Sequence, residues 1–171
     1  MYETTLPVFL TWRLAGSLPA GRAFSSDSTT SGQAFAALDH LLDQGRCGPA
    51  YLSKTEIAEI VVESIHYHAN ALCRYELQAY AVMPNHVHML VLPRVPIPKL
   101  MRTLKSITGR RCNQILGISN RPFWAEETFD RVVRNATELS RIVAYIENNP
   151  VKGGLASMPQ QFRWSSAWKR E

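Results

Sequence analysis

His86 and His88 stand two positions apart in the segment HVHMLVLP. On a strand, residues at that spacing project from the same face, so two imidazoles can hold one cation between them. Two ordinary histidines on a half-buried strand have the same pattern. His66 and His68 share the spacing, but they lie in a segment with helical periodicity. There they diverge by about 200° and cannot chelate one ion, so His68 is expected on the core face. Tyr145 and Asn149 form the second group. They lie one helical turn apart, about 90° from the apolar stripe of Leu139, Ile142, Val143 and Ile146. An aromatic residue at such an edge serves packing as readily as chemistry, because a phenol of pKa about 10 is a weak attacking group until a charge or base activates it.

Taken together, these groups suit one reaction. The Asn149 carbonyl oxygen could complete a His-His-Asn set on a divalent ion and place Tyr145 one turn from that metal. Two imidazoles and an amide leave positions open for phosphate oxygens, so the ion could polarise a phosphodiester for attack by the tyrosine. A phosphotyrosine ester conserves the bond energy, and a hydroxyl can rejoin DNA from it without ATP.

The elements that must position these residues can be read coarsely. Pro7 to Ala15 reads as a first strand, Gly16 to Gly32 as a loop, and Ala34 to Gln44 as a short helix with Phe35, Leu38, Leu41 and Leu42 on one side. A second helix follows Ser53 and Glu56, which have capping-box spacing. RYELQAYAVM and HVHMLVLP flank Pro84-Asn85 as a hairpin, and a third helix runs from about Lys99 to Leu116 with Gly117 as its cap. TFDRVVR reads as a fourth strand. Asn135 and Glu138 approximate a capping box before the helix LSRIVAYIEN, which Pro150 and Gly153-Gly154 are expected to end.

A chain of 171 residues, 46% apolar and 19% charged, fits a single domain spanning 1–171 with an α+β sandwich. Cys47, Cys73 and Cys112 show no C-x-x-C spacing, which argues against a disulfide scaffold or zinc ribbon and for a reducing cytoplasm. No apolar run approaches the roughly 18 residues of a membrane span, and the start of the chain lacks a signal-peptide layout. The formal charge is +5, and seven basic residues with no acidic one fall between Arg94 and Arg121. Lys99, Arg102, Lys105 and Arg110 on the third helix could follow a phosphate backbone, or simply form a solvated face. Arg13, Arg131 and Arg134 are further candidates for DNA contact.

MPNHVHMLV, then FWAEETFDRVVR, RIVAYIENNPVKGGLA and FRWSSAW, in that order from about Phe9 to Trp168, resemble the REP-associated tyrosine transposases, a branch of the single-tyrosine HUH transposases. The resemblance implies a ferredoxin-like antiparallel sheet with helices mainly on one face. It also implies a site for Mg²⁺ or Mn²⁺ on His86, His88 and Asn149, with Tyr145 as nucleophile. The implied activity is endonucleolytic cleavage and strand transfer of single-stranded DNA beside hairpins of palindromic repeats, through a 5′-phosphotyrosine. The partner is hairpin-bearing single-stranded DNA in the cytoplasm, at the nucleoid. The REP-associated branch implies a monomer, whereas insertion-sequence relatives work as dimers. The competing reading is a non-catalytic nucleic-acid-binding regulatory module on the same fold.

Overall fold

The computed structural model describes residues 6–24 and 32–170. Four strands form one antiparallel sheet: β1 (Val8–Arg13), β2 (Tyr75–Val82), β3 (His86–Pro93) and β4 (Phe129–Val132), in the order β2-β3-β1-β4. The chain turns directly from β2 into β3, while helices intervene before β2 and between β3 and β4. This is the ferredoxin-like arrangement. The two central strands are apolar on both faces because both are covered, which is why HVHMLVLP reads as a continuous apolar run rather than an alternating one.

Side-chain alternation sends the two faces to different helices. Val8, Leu10 and Trp12 of β1 and Val87, Met89 and Val91 of β3 pack with α2 (Thr55–Asn70) and α3 (Ile97–Leu116), through Ile57, Val61, Leu100 and Leu104. Phe9, Leu90 and Phe129 point the other way. They join Phe35, Leu38 and Leu42 of α1 (Gly32–Gln44) and Ile146 of α4 (Ala136–Lys152). Helices expected mainly on one face are thus divided, α2 and α3 on one side and α1 and α4 on the other. His86 and His88 have the parity of Leu90, so they face α1 and α4.

Local signals shape the ends of these elements. Asn135 caps α4 as expected, its side chain accepting from the Glu138 N–H at 2.8 Å, and Gly117 closes α3 in the left-handed conformation at φ +66°. The capping box expected at Ser53 does not form. Residues Tyr51–Ser53 make a 3₁₀ turn, so α2 starts after Lys54, which supplies no side-chain cap. Nor does Pro150 end α4: the helix runs on to Lys152 and stops at Gly153, whose N–H donates to the Asn149 carbonyl. Pro150 removes only the bond to the Ile146 carbonyl, and burial of Ile146, Asn149 and Pro150 holds the turn together.

The motif FRWSSAW seals an edge of the sheet. Val82 N–H donates to Trp164 and Ser166 N–H to Tyr80, which pairs the C-terminal segment with the outer side of β2. Part of the loop expected over Gly16 to Gly32 lies outside the described residues, but Leu18 and Phe24 within it are buried in the α1/α4 layer. No helix among the described residues is long and apolar enough to cross a membrane.

Candidate metal and nucleophile site

The α1/α4 layer brings His86, His88, Tyr145 and Asn149 together within one chain. β3 presents both imidazoles, with ring centroids 4.8 Å apart. α4 presents Tyr145, its ring centroid 5.7 Å from that of His88, and Asn149, which is buried. α1 contributes a fifth residue that the motif reading did not include. Asp39 places Oδ1 3.3 Å from His86 Nε2 and 3.1 Å from His88 Nε2. Its other oxygen accepts a hydrogen bond from the Tyr145 hydroxyl and one from Asn149 Nδ2 at 3.4 Å. Asp39 was legible in principle. It follows Phe35 and Leu38 and precedes Leu42 at helical spacing, so it is an acid set on an apolar stripe.

The imidazoles are aimed by their outer nitrogens. The Asn85 amide is fixed because its Nδ2 donates to the Leu42 carbonyl at 2.9 Å, leaving Oδ1 to accept from His86 Nδ1–H at 2.7 Å. His86 therefore turns a bare Nε2 inward. Thr11 Oγ1 lies 2.6 Å from His88 Nδ1 and orients that ring in the same sense. Phe9 and Phe35 pack against both His88 and Tyr145, with centroid separations of 5.6 to 6.3 Å, and keep the surroundings apolar.

A cation fits what these side chains leave undone. Nε2 of both histidines, Oδ1 of Asp39 and Oδ1 of Asn149 are buried without a hydrogen-bond partner. Burying several acceptors unpaired in one place is costly unless something positive binds them. Asp39, His86 and His88 offer ligand atoms within 4.8 Å of one another, and they are the one such group among the described residues. His66 and His68 do not form one: His68 is buried on the Ser64 carbonyl, and His66 meets the Tyr80 hydroxyl.

The electrostatics run in the same direction. Burial pushes the His86 pKa down, so its imidazole is neutral and able to donate a lone pair. Burial raises the Asp39 carboxyl, but His88 and His86 outweigh it and hold Asp39 well below the usual carboxylate range. Tyr145 is driven above the ordinary phenol range, first by burial and then by the charge of Asp39. The phenol is therefore firmly protonated until positive charge arrives.

Asp43, one turn after Asp39, lies 3.8 Å from His86 Nε2, and burial together with the Asp39 charge pushes it up to about 6. A carboxyl displaced from 3.8 to about 6 costs the folded, metal-free protein on the order of 3 kcal/mol at pH 7.5. Its contribution to stability is complete below the lower value and lost as the pH rises through the higher one. Asp43→Asn is therefore expected to raise the Tm of the protein in EDTA by several degrees at pH 7.5 and to leave it unchanged near pH 4. Thermal scans at the two pH values measure the difference; equal shifts would mean that Asp43 is not strained by its neighbours.

The basic candidates divide. Lys99, Arg102 and Arg110 are exposed on α3, across the sheet from the histidines. Lys105 is turned inward and donates to the carbonyls of Ala125, Glu126 and Glu127 at 2.9 to 3.0 Å. Arg13 is buried and paired with Glu127 at 2.5 Å. Arg131 is exposed on the histidine side of β4 and bound to Glu138 at 2.7 Å, and Arg134 is exposed beyond the strand. Of the tryptophans, Trp12 and Trp124 belong to the core.

A REP-associated tyrosine transposase solved in complex with a REP hairpin has the same fold. It is 17% identical, with a TM-score of 0.56 over 97% of this chain and 79% of that one. The crystal structure of a candidate transposase of Deinococcus radiodurans R1 covers 87% of this chain and 92% of that one at 19% identity, with a TM-score of 0.43. No curated protein matches the sequence. The model of the IS200-like transposases matches residues 50–149, which span α2, the β2–β3 hairpin with both histidines, α3, β4 and most of α4 through Asn149, and this chain belongs to that family.

Proposed function

We propose that the protein is a metal-dependent endonuclease and strand transferase for single-stranded DNA, acting beside hairpins of palindromic repeats through a 5′-phosphotyrosine. The observation that carries this reading is the meeting of Tyr145 with Asp39, His86, His88 and Asn149, whose inward lone pairs have no other partner. A REP hairpin is the ligand of the structurally similar transposase, which supports hairpin DNA as the substrate class. One chain supplies the whole set, which supports a monomer as the working unit.

His86 Nε2, His88 Nε2, Asp39 Oδ1 and Asn149 Oδ1 would hold the ion; two imidazoles with two oxygen donors suit Mn²⁺ or Mg²⁺. When bound, the ion would polarise a non-bridging phosphate oxygen and offset the charge that builds on it. Asn85 and Thr11 keep the imidazoles turned inward, and Phe9 and Phe35 pack against the ring of the tyrosine and hold it beside His88. A bond forms between Tyr145 Oη and phosphorus as the bond from phosphorus to the 3′ oxygen breaks. The phenolic proton leaves along the hydrogen bond to Asp39, and the departing 3′ oxygen gains one. Reversal by another 3′ hydroxyl joins strands. Exposed Lys99, Arg102, Arg110, Arg131 and Arg134 would steady the flanking phosphates, whereas Arg13 and Lys105 would act by holding the 125–127 segment in place.

The test is incubation of the protein with labelled single-stranded hairpin oligonucleotides and Mn²⁺, followed by a denaturing gel. A protein-linked band that disappears with EDTA is expected, and mapping the cut locates the scissile phosphate. Tight binding with no linked band would overturn the enzymatic reading in favour of a binding module.

A further inference from the structure

Lys152 is the last residue of α4, two turns beyond Tyr145 and one beyond Asn149. Its ammonium stands 5.7 Å from the centroid of the Tyr145 ring, and its charge reaches Asp43. Arg13, Lys105 and Arg131 are each committed to a carboxylate or to backbone carbonyls. Lys152 has no salt bridge among the described residues and is exposed. Gly153 brings the end of the helix close to this spot; a Cβ there would meet Met83 Cε at 3.1 Å and Asp43 Oδ1 at 3.9 Å. The ammonium thus lies on the exposed side of Tyr145, where α4 ends near Asp43.

Charge balance gives this cation a task. A phosphodiester already carries one negative charge and attack by Tyr145 adds a second, and the Lys152 ammonium is the cation that stands beside the Tyr145 ring. We propose that Lys152 binds a non-bridging oxygen of the scissile phosphate and offsets the charge that develops there as Tyr145 attacks. The inference rests on the nuclease reading above and adds a residue that touches the substrate. A lysine suits the task as a compact, mobile point charge on a long stem.

The experiment compares the wild type with Lys152→Gln and Lys152→Arg on the mapped hairpin oligonucleotide, made with either a normal phosphodiester or an uncharged methylphosphonate at the cut position. In single turnover with Mn²⁺, Lys152→Gln is expected to form the linked product roughly 10²- to 10³-fold more slowly on the phosphodiester, and Lys152→Arg to recover most of that loss. Mn²⁺ affinity should not change. A second readout needs neither metal nor cleavage. In a Tyr145→Phe background in EDTA, Lys152→Gln should weaken binding of the phosphodiester oligonucleotide several-fold and leave the methylphosphonate unaffected. Wild-type rates in Lys152→Gln, or equal weakening for both oligonucleotides, would overturn the proposal. Absence of the linked product from the wild type would instead defeat the nuclease reading itself.

Discussion

Tyr145→Phe is expected to abolish the covalent protein–DNA product, a loss on the order of 10⁴-fold or more, while hairpin binding stays within a few-fold of the wild type. The substitution removes one oxygen. The ring remains packed against Phe9, Phe35 and His88, and the layer of α1 and α4 stays closed because Ile146 and Pro150 are untouched. What disappears is the atom that would bond to phosphorus, together with the hydrogen bond to Asp39. Asp39 Oδ2 then keeps only Asn149 Nδ2, so its carboxylate is freer to ligate and Mn²⁺ affinity should hold or rise. A denaturing gel reports the linked product, and titration calorimetry reports the metal. A linked band in the Phe variant would transfer the nucleophile to another residue; a collapse of metal binding would make Tyr145 a structural prop.

Much of this site could be read from types and spacing, for definable reasons. The strand period placed both imidazoles on one face, and the helix period placed Tyr145 and Asn149 side by side, because both are local rules set by backbone geometry. The ferredoxin-like sheet followed from the family resemblance rather than from any local pattern. Asp39 escaped the motif because it comes from α1, 47 positions before His86, and only packing brings them together. Its trace was an acid on an apolar stripe, a pattern that burial of a paired or metal-bound carboxylate produces.

The charges were less legible. Lys105 shares the helical face that suggested DNA, yet three carbonyls from the 125–127 segment claim its ammonium. Arg13 ends a central strand and is drawn inward by Glu127, 114 positions away. Which partner takes a cation is decided by tertiary proximity, and periodicity carries no such information. Pro150 likewise looked like a helix stop, but the lost bond is small beside the burial of its own turn. The exposed charge of α3 is thus carried by Lys99, Arg102 and Arg110, on the layer opposite the tyrosine. A bound hairpin on α3 would need its single-stranded foot to pass around the sheet to reach the site.

Asp39→Asn carries the second large effect, because this carboxylate connects the metal ligands with the nucleophile. Its Oδ1 is the closest charged atom to both inward imidazole nitrogens, at 3.1 and 3.3 Å. An amide offers a neutral oxygen in place of that charge, or turns an N–H₂ toward the imidazoles and occupies their lone pairs. Either outcome removes the strongest electrostatic attraction for a dication in a buried setting. Mn²⁺ affinity is expected to fall about 10²- to 10³-fold. At a concentration near 100 times the wild-type Kd, the metal should stabilise the wild type by about 2.7 kcal/mol and the Asn variant by well under 1. Without metal, an uncharged amide in place of the Asp39 carboxylate relieves part of the upward push on Asp43, but burial of Asp43 remains and the attraction of His88 and His86 that holds Asp39 ionised is lost. The metal-free variant should therefore stand no higher than the wild type in Tm at pH 7.5, and it should fail to respond to Mn²⁺. Thermal scans with Mn²⁺ and with EDTA separate the two effects. An Asn variant that binds Mn²⁺ as the wild type does would reduce the ligand set to His86, His88 and Asn149, and would leave Asp39 as a hydrogen-bond partner that holds the Tyr145 hydroxyl in place.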